Sequence, residues 1–134
     1  MRVLILLILL SVATYSFDIK ITNIEDRKAT IYIAVFDSEE GFPSEGEKAE
    51  FAWMGTVEEA EEGVQTNLTS GNYAVSVFQD IDGSGKLTRK FYGAPKEPYG
   101  MSNTFKKLKM KPNFEKIAVD IEESETLKIG LLKP

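Results

Sequence analysis

The residues best suited to chemistry in this chain lie in one acidic, glycine-rich stretch, Asp80 to Leu87, with the sequence Asp-Ile-Asp-Gly-Ser-Gly-Lys-Leu. It follows directly on the β-patterned run Tyr73 to Gln79. Oxygen-bearing side chains at alternate positions, with a glycine where the chain must reverse, are what a loop needs to surround a hard cation such as Ca²⁺. The pattern therefore predicts an ion-binding loop at the end of a strand.

Five candidate ligands follow from the numbering of an EF-hand-type loop that starts at Asp80. Positions 1, 3, 5, 7 and 9 of such a loop are taken by Asp80, Asp82, Ser84, Lys86 and Thr88. Lys86 is no obstacle, because position 7 contributes only its backbone carbonyl. Gly85, at the sixth position, allows the sharp turn.

The stretch also departs from an EF-hand loop. Phe91 stands where the bidentate glutamate belongs, and a strand rather than a helix comes before the loop. Glu97 is the candidate for the missing ligand if the following segment folds back. Two carboxylates without the glutamate predict weak binding, in roughly the millimolar range of extracellular modules. The alternative is a tight turn in which the Asp side chains accept hydrogen bonds from nearby backbone N–H groups.

Two further features could contact a partner. The long segment Lys90–Pro112 contains Tyr92, Tyr99 and Asn103, which we expect to meet a ligand or another protein once the loop is ordered by its ion. Lys106–Lys111 places lysines at alternate positions of an extended stretch. These lysines would either contact an anionic partner or keep an edge strand from pairing with a neighbour.

The absence of two residue types excludes several reactions. The chain has no His and no Cys, so His-dependent triads, thiol nucleophiles and imidazole-bound zinc are excluded. A net charge of −5 argues against general nucleic-acid binding. We expect a non-enzymatic protein; the enzymatic alternative is a carboxylate-based hydrolase that uses Asp80 and Glu97 as its acid pair.

The first sixteen residues have the layout of a secretory signal peptide. Arg2 precedes the apolar run Val3–Ala13, and Thr14 and Ser16 are small residues at the −3 and −1 positions of a cut after Ser16. Such a run is too short to span a bilayer comfortably, and no later segment approaches the required length. The predicted protein is secreted or periplasmic, without a transmembrane span after cleavage.

Residues 17–134 read as one all-β domain. Period-two alternation or β-branched runs predict about seven strands, and an antiparallel β-sandwich of immunoglobulin-like or transthyretin-like shape accommodates them. Ala29–Phe36 is apolar on both faces, as a central strand would be. Val57–Glu62 is interpreted as a strand end and loop rather than a helix. Glu122–Glu125 is interpreted as the connection of a final hairpin.

The run from Gly71 to Leu87 resembles the centre of domain-of-unknown-function family 2141. The segment Gly93–Asn103, with the pattern G-x-P-x-E-x-Y-G-x-S-N when read from Gly93, and the residues Pro112–Glu115 extend the resemblance. The chain differs from many members at Gln79, where they often have His, and at Pro98, where many have Gly. The resemblance implies export, a bacterial origin of most relatives and a β-sandwich, and it implies no reaction.

Three functions follow from these observations. The first is an exported binding module for an unknown protein or glycan, with an ion site that orders the 90–112 loop. The second is a structural or interaction protein of the cell envelope, in which the acidic loop is only a turn. The third is the hydrolase.

Overall fold

The computed structural model describes residues 16–104 and 112–134. The predicted signal peptide, apart from Ser16, and the stretch Lys106–Lys111 lie outside the described residues. The strands are β1 (Asp18–Thr22), β2 (Thr30–Phe36), β3 (Phe51–Gly55), β4 (Val64–Gln65), β5 (Gly71–Asp80), β6 (Tyr99–Met101), β7 (Val119–Ile121) and β8 (Thr126–Gly130). The α-helices are α1 (Val57–Glu62) and α2 (Phe114–Ile117), and Gly46–Lys48 forms a short 3-10 helix.

The strands form two sheets that pack as a sandwich. One sheet has the order β4-β1-β8, and the other has the order β3-β2-β5-β6, with β7 also paired to β5. β2 lies between β3 and β5, which agrees with the central strand predicted from its two apolar faces. The all-β sandwich fold is thus confirmed.

Alternation along the strands produces the core between the sheets. Ile31, Ile33 and Val35 of β2 are at most 1% exposed and face the other sheet. The same core contains Ile19 and Ile21 of β1, together with apolar residues from β5 and β8.

Strand order and direction differ from a purely antiparallel sandwich. β1 and β8 pair in parallel, with Asp18 opposite Thr126 and Thr22 opposite Gly130. Parallel pairing needs a long connection, and nearly the whole domain lies between these two strands. β7 pairs with β5 while β8 pairs with β1, so the predicted final hairpin is wrong. Glu122–Glu125 instead carries the chain from one sheet to the other.

Val57–Glu62 is an α-helix, which corrects its interpretation as a strand end and loop. Thr56 and Glu59 form a capping box at its start, since each side chain accepts a hydrogen bond from the backbone N–H of the other residue. Val57 and Ala60 place the inner side of the helix in the core. The helix is therefore stable, although it has fewer than two turns, because its start is capped and its inner side packs in the core.

The long segment after β5 also contains regular structure. β6 pairs with β5 through Ser76 opposite Met101 and Phe78 opposite Tyr99, inside the stretch predicted to be irregular. Neither helix of the described residues is long and apolar enough to cross a membrane.

Candidate cation-binding loop

The predicted ion loop begins where β5 ends. Gly83 and Gly85 turn the chain with φ angles of +71° and +76°, a region that favours glycine. The following residues form a small hairpin in which Arg89 and Pro95 are bridged and Lys96 N donates to Thr88 O at 2.7 Å. This hairpin returns the chain to the start of the loop.

Asp80 and Asp82 accept hydrogen bonds from the loop that follows them. Asp80 is 7% exposed, and its two carboxylate oxygens accept from Ser84 N at 3.1 Å and Gly85 N at 2.8 Å. Asp82 Oδ1 accepts from Ser84 N at 3.0 Å, and its Oδ2 accepts from the Thr88 hydroxyl. Both carboxylates therefore hold the turn closed.

The hydroxyl groups of the loop act on the ionisation of Asp82. The hydrogen bond from Thr88, followed by those from Ser84, holds the pKa of the exposed Asp82 carboxyl well below its usual range. A donor that bonds to the charged form of a carboxyl favours that form. Asp82 is thus an anion throughout the physiological pH range.

Glu97 joins the loop from a distant position in the sequence. It is 3% exposed, and its Oε2 accepts from Ile81 N at 2.5 Å and from Asp82 N at 3.2 Å. Its Oε1 accepts from Thr88 N at 2.8 Å. These three donors stabilise the buried carboxylate.

The three carboxyl groups converge. One oxygen from each of Asp80, Asp82 and Glu97 lies within 4.8 Å of the others. Oxygen donors at this spacing fit a hard divalent cation such as Ca²⁺, which takes six to eight oxygen ligands. Without a cation, the hydrogen bonds donated by the loop and Thr88 oppose their mutual repulsion.

The remaining predicted ligands line the same loop. The Ser84 hydroxyl donates to the backbone carbonyl of Lys86 at 2.8 Å and lies 3.4 Å from the Thr88 hydroxyl. The carbonyl expected to face an ion is therefore hydrogen-bonded to Ser84. The Lys86 residue itself is exposed.

The three residues predicted to contact a partner lie in different environments. Tyr92 is 64% exposed at the tip of the small hairpin, beside the fully exposed Phe91, with ring centroids 5.1 Å apart. Tyr99 is in β6 and is 2% exposed. Asn103 is exposed with φ +53°, and its amide donates to Lys116 O at 3.0 Å. Phe91 stands at the position of the missing calcium ligand and within the Lys90–Pro112 segment, and the structure places its ring on the surface beside Tyr92.

Gln79 lies beneath the loop on the inner face of β5. Its side chain is fully buried, and its amide nitrogen donates to Asp26 O at 2.6 Å and to Ala29 O at 3.4 Å. These bonds attach the turn before β2 to the end of β5. The residue thus has a structural role at the end of β5.

Comparison with known proteins gives one match. The family model described as "Uncharacterized protein conserved in bacteria (DUF2141)" matches residues 19–128, which include the loop and Glu97. No curated protein and no solved structure matches the chain. The match agrees with the resemblance found in the Gly71–Leu87 and Gly93–Asn103 segments. By this match over most of its length, the chain belongs to the DUF2141 family of bacterial proteins.

Proposed function

We propose that the protein is an exported, non-enzymatic binding module in which the Asp80–Leu87 loop holds a weakly bound Ca²⁺-type ion. The observation that carries this proposal is the position of Glu97, whose buried carboxylate meets Asp80 and Asp82 within 4.8 Å although it is far from them in sequence. A calcium loop that lacks its last glutamate needs a carboxylate at that place.

The expected affinity is low. Two of the three carboxylates are buried and the third is exposed, and the loop donors already occupy part of their hydrogen-bonding capacity. An ion must compete with these bonds, so we expect binding at about millimolar Ca²⁺, as in extracellular modules.

The ion would act on the partner surface through Glu97. This residue lies at the base of the small hairpin that carries Tyr92 and Phe91. Relief of the repulsion at Glu97 would stabilise the hairpin and hold the two exposed rings in place for an unknown protein or glycan.

One observation favours the second function, an envelope interaction protein without an ion site. Seven hydrogen bonds, five from the loop and two from Thr88, reach the three carboxylates, which is sufficient to close a turn. In that case the loop has no response to Ca²⁺, and a sheet edge or the lysine stretch contacts the partner.

Thermal unfolding in EDTA and in about 10 mM Ca²⁺, ten times the expected dissociation constant, separates these functions. A ligand that binds only the folded state at ten times its dissociation constant stabilises it by about 1.4 kcal/mol. For a domain of this size we expect the midpoint to rise by a few degrees, roughly 3–7 °C. Asp82→Asn should abolish the rise, because it removes an anionic ligand while keeping an acceptor oxygen.

Asp37→Asn is the matched control, since Asp37 is an exposed carboxyl outside the loop. Its response to Ca²⁺ should equal that of the unmodified protein. A midpoint that Ca²⁺ leaves unchanged, or a rise that persists in Asp82→Asn, would reject the ion site.

A further inference from the structure

The edge strand β3 is open and uncharged. Among the described residues it pairs with β2 alone, and its five residues, Phe-Ala-Trp-Met-Gly, include no charge and no proline. β7 and β8, by contrast, carry the exposed charges Asp120 and Lys128. Charged residues commonly protect an edge from strand addition, and β3 lacks this protection.

A groove lies on the outer face of this sheet and reaches β3. Register places the large side chains Met54, Tyr32 and Phe78 in one cross-strand row, and the small side chains Ala52, Ala34 and Ser76 in the next. The Tyr32 and Phe78 rings are stacked 4.8 Å apart and form one wall. These residues line a groove of about 720 Å³ whose floor is the small-residue row.

A second, polar cavity of about 270 Å³ lies on the other face of β3. It is lined by Trp53, by Glu59 and Glu62 of α1, and by Gly63 to Gln65. Lys20 packs its aliphatic stem against Gly63 at the rim.

The charge beside Trp53 is predominantly negative. Arg27 pairs with Glu58 and Glu61 on α1, whereas Glu59 and Glu62 make no ion pair among the described residues. A tryptophan ring beside carboxylates is a favourable environment for a lysine or arginine side chain. The two faces of β3 therefore differ. The groove floor is apolar, although Glu45, Glu47, Lys86 and Arg89 also line the groove, and the other face is anionic.

The side chains of a strand added to β3 would contact the groove on one face and the polar cavity on the other. Successive side chains of a strand point to opposite faces. A residue opposite Trp53 would enter the anionic cavity, and its two neighbours, opposite Ala52 and Met54, would lie over the apolar groove. Backbone hydrogen bonds would supply affinity, and the alternate side chains would supply specificity.

We propose that the open edge of β3 binds an extended peptide in which basic and apolar residues alternate. The basic side chain lies over Trp53 beside Glu59 and Glu62, and the apolar side chains lie over the groove beside Ala52 and Met54. Gly85, Lys86 and Leu87 of the ion loop also line the groove. The proposal still goes beyond the function proposed above, because strand addition uses the backbone of β3 and needs no ion.

Fluorescence titration tests the proposal, because Trp53 is the single tryptophan of the chain. The probe is the peptide acetyl-Lys-Val-Lys-Val-Lys-amide, titrated into the purified protein in EDTA at low salt. We expect a saturable change in Trp53 emission that weakens with salt. A peptide with Glu in place of Lys, and one with the order Lys-Lys-Lys-Val-Val, should give no saturable change.

Three variants locate the binding. Glu62→Lys reverses a charge of the anionic cavity and Ala52→Lys places a cation on the apolar floor; each should weaken binding at least about fivefold. Both positions are exposed, so the fold should be unaffected. Glu123→Lys, in the exposed turn between β7 and β8, is the matched control and should bind as the unmodified protein does.

Three results would overturn the proposal. One is the absence of a saturable change in Trp53 emission at millimolar peptide. This result must hold both in the unmodified protein and in a variant in which the alternating lysines Lys107, Lys109 and Lys111 are replaced by Ser. Another is equal weakening by Glu62→Lys and Glu123→Lys, which would show general charge attraction. The third is a dimer in sedimentation that the peptide does not dissociate, which would assign the edge to a second copy of the chain.

Discussion

The Asp80–Leu87 loop, together with Thr88, and the edge of β3 differ in how their backbone N–H and C=O groups are hydrogen-bonded. In the loop, the N–H groups of five residues donate to carboxylates of Asp80, Asp82 and Glu97. At β3, among the described residues, one side of the strand is paired and the other is open. The loop is thus closed to a peptide by its own hydrogen bonds, whereas the edge of β3 presents unpaired backbone groups with which a peptide could pair.

The two regions also differ in how much their side chains contribute to the stability of the fold. The loop is stabilised by hydrogen bonds to its carboxylates, so the side chains of Asp80, Asp82 and Glu97 contribute to the stability of the fold. The exposed side chains of β3 contribute little to the fold, and their burial would accompany binding instead. Substitutions in the two regions should therefore differ in size and in kind.

Glu97→Leu should have the largest effect, a loss of about 3–5 kcal/mol in the free energy of unfolding. It leaves the N–H groups of Ile81, Asp82 and Thr88 without the acceptor that the buried Glu97 carboxylate supplies. Urea unfolding measures the loss. Glu97→Gln, which keeps one acceptor oxygen, should lose less; equal losses would show that only the side-chain volume matters.

Gly55→Ala should cost about 1–2 kcal/mol and shift the Trp53 emission. A Cβ at Gly55 would lie 2.4 Å from the Trp53 ring, so the ring must move. Chemical unfolding followed by fluorescence reports both effects. Gly46→Ala, where a Cβ would meet nothing within 4 Å, serves as the control. An unshifted emission in Gly55→Ala would contradict the packing of Trp53 over this glycine.

Asp82→Asn should make the stability of the protein less dependent on pH in the acid range. The folded state lowers the pKa of this carboxyl, so it binds protons less readily than the unfolded state does. Its contribution is complete above the unfolded pKa of about 3.9 and is lost as the pH falls towards the lower folded pKa. Unfolding midpoints measured from pH 6 to pH 2 should fall less in the variant. Parallel curves would show that the Thr88 hydrogen bond does not affect the carboxyl.

Met54→Thr should have the smallest effect on stability, within about 0.5 kcal/mol. Met54 is 62% exposed on the open edge, and threonine is well suited to a strand. Thermal unfolding measures the change. A loss above about 2 kcal/mol would mean that this side chain is buried in the native protein and that the edge is not open.

Much of the fold could be predicted because its signals are local. The alternation of Ile31, Ile33 and Val35 places one face of β2 in the core, whatever the partner strand is. The turn of the ion loop is also local, since Asp80 and Asp82 bond to residues within six positions of themselves. The spacing of Thr56 and Glu59 also fits a capping box, but Gly55 and Gly63 leave room for only about two turns, which argues against a helix.

Strand partners were not predictable from the same signals. A periodic pattern states which face of a strand is buried and does not state which neighbour it pairs with. β7 and β8 follow each other closely in the chain and still join different sheets. β7 pairs with β5, and β8 pairs with β1. β6 is only three residues long, and its pairing with β5 rather than its own pattern makes it a strand.

The sequence by itself determined the alternating strands, the acidic turn and the family to which the chain belongs. Each of these depends on residues that are neighbours in the chain. Only the tertiary structure decided that Glu97 enters the loop, that Tyr99 is buried and that β3 has an anionic cavity on one face and an apolar groove on the other. These features join residues far apart in sequence, and their distances are set by sheet pairing and core packing, which no local pattern contains.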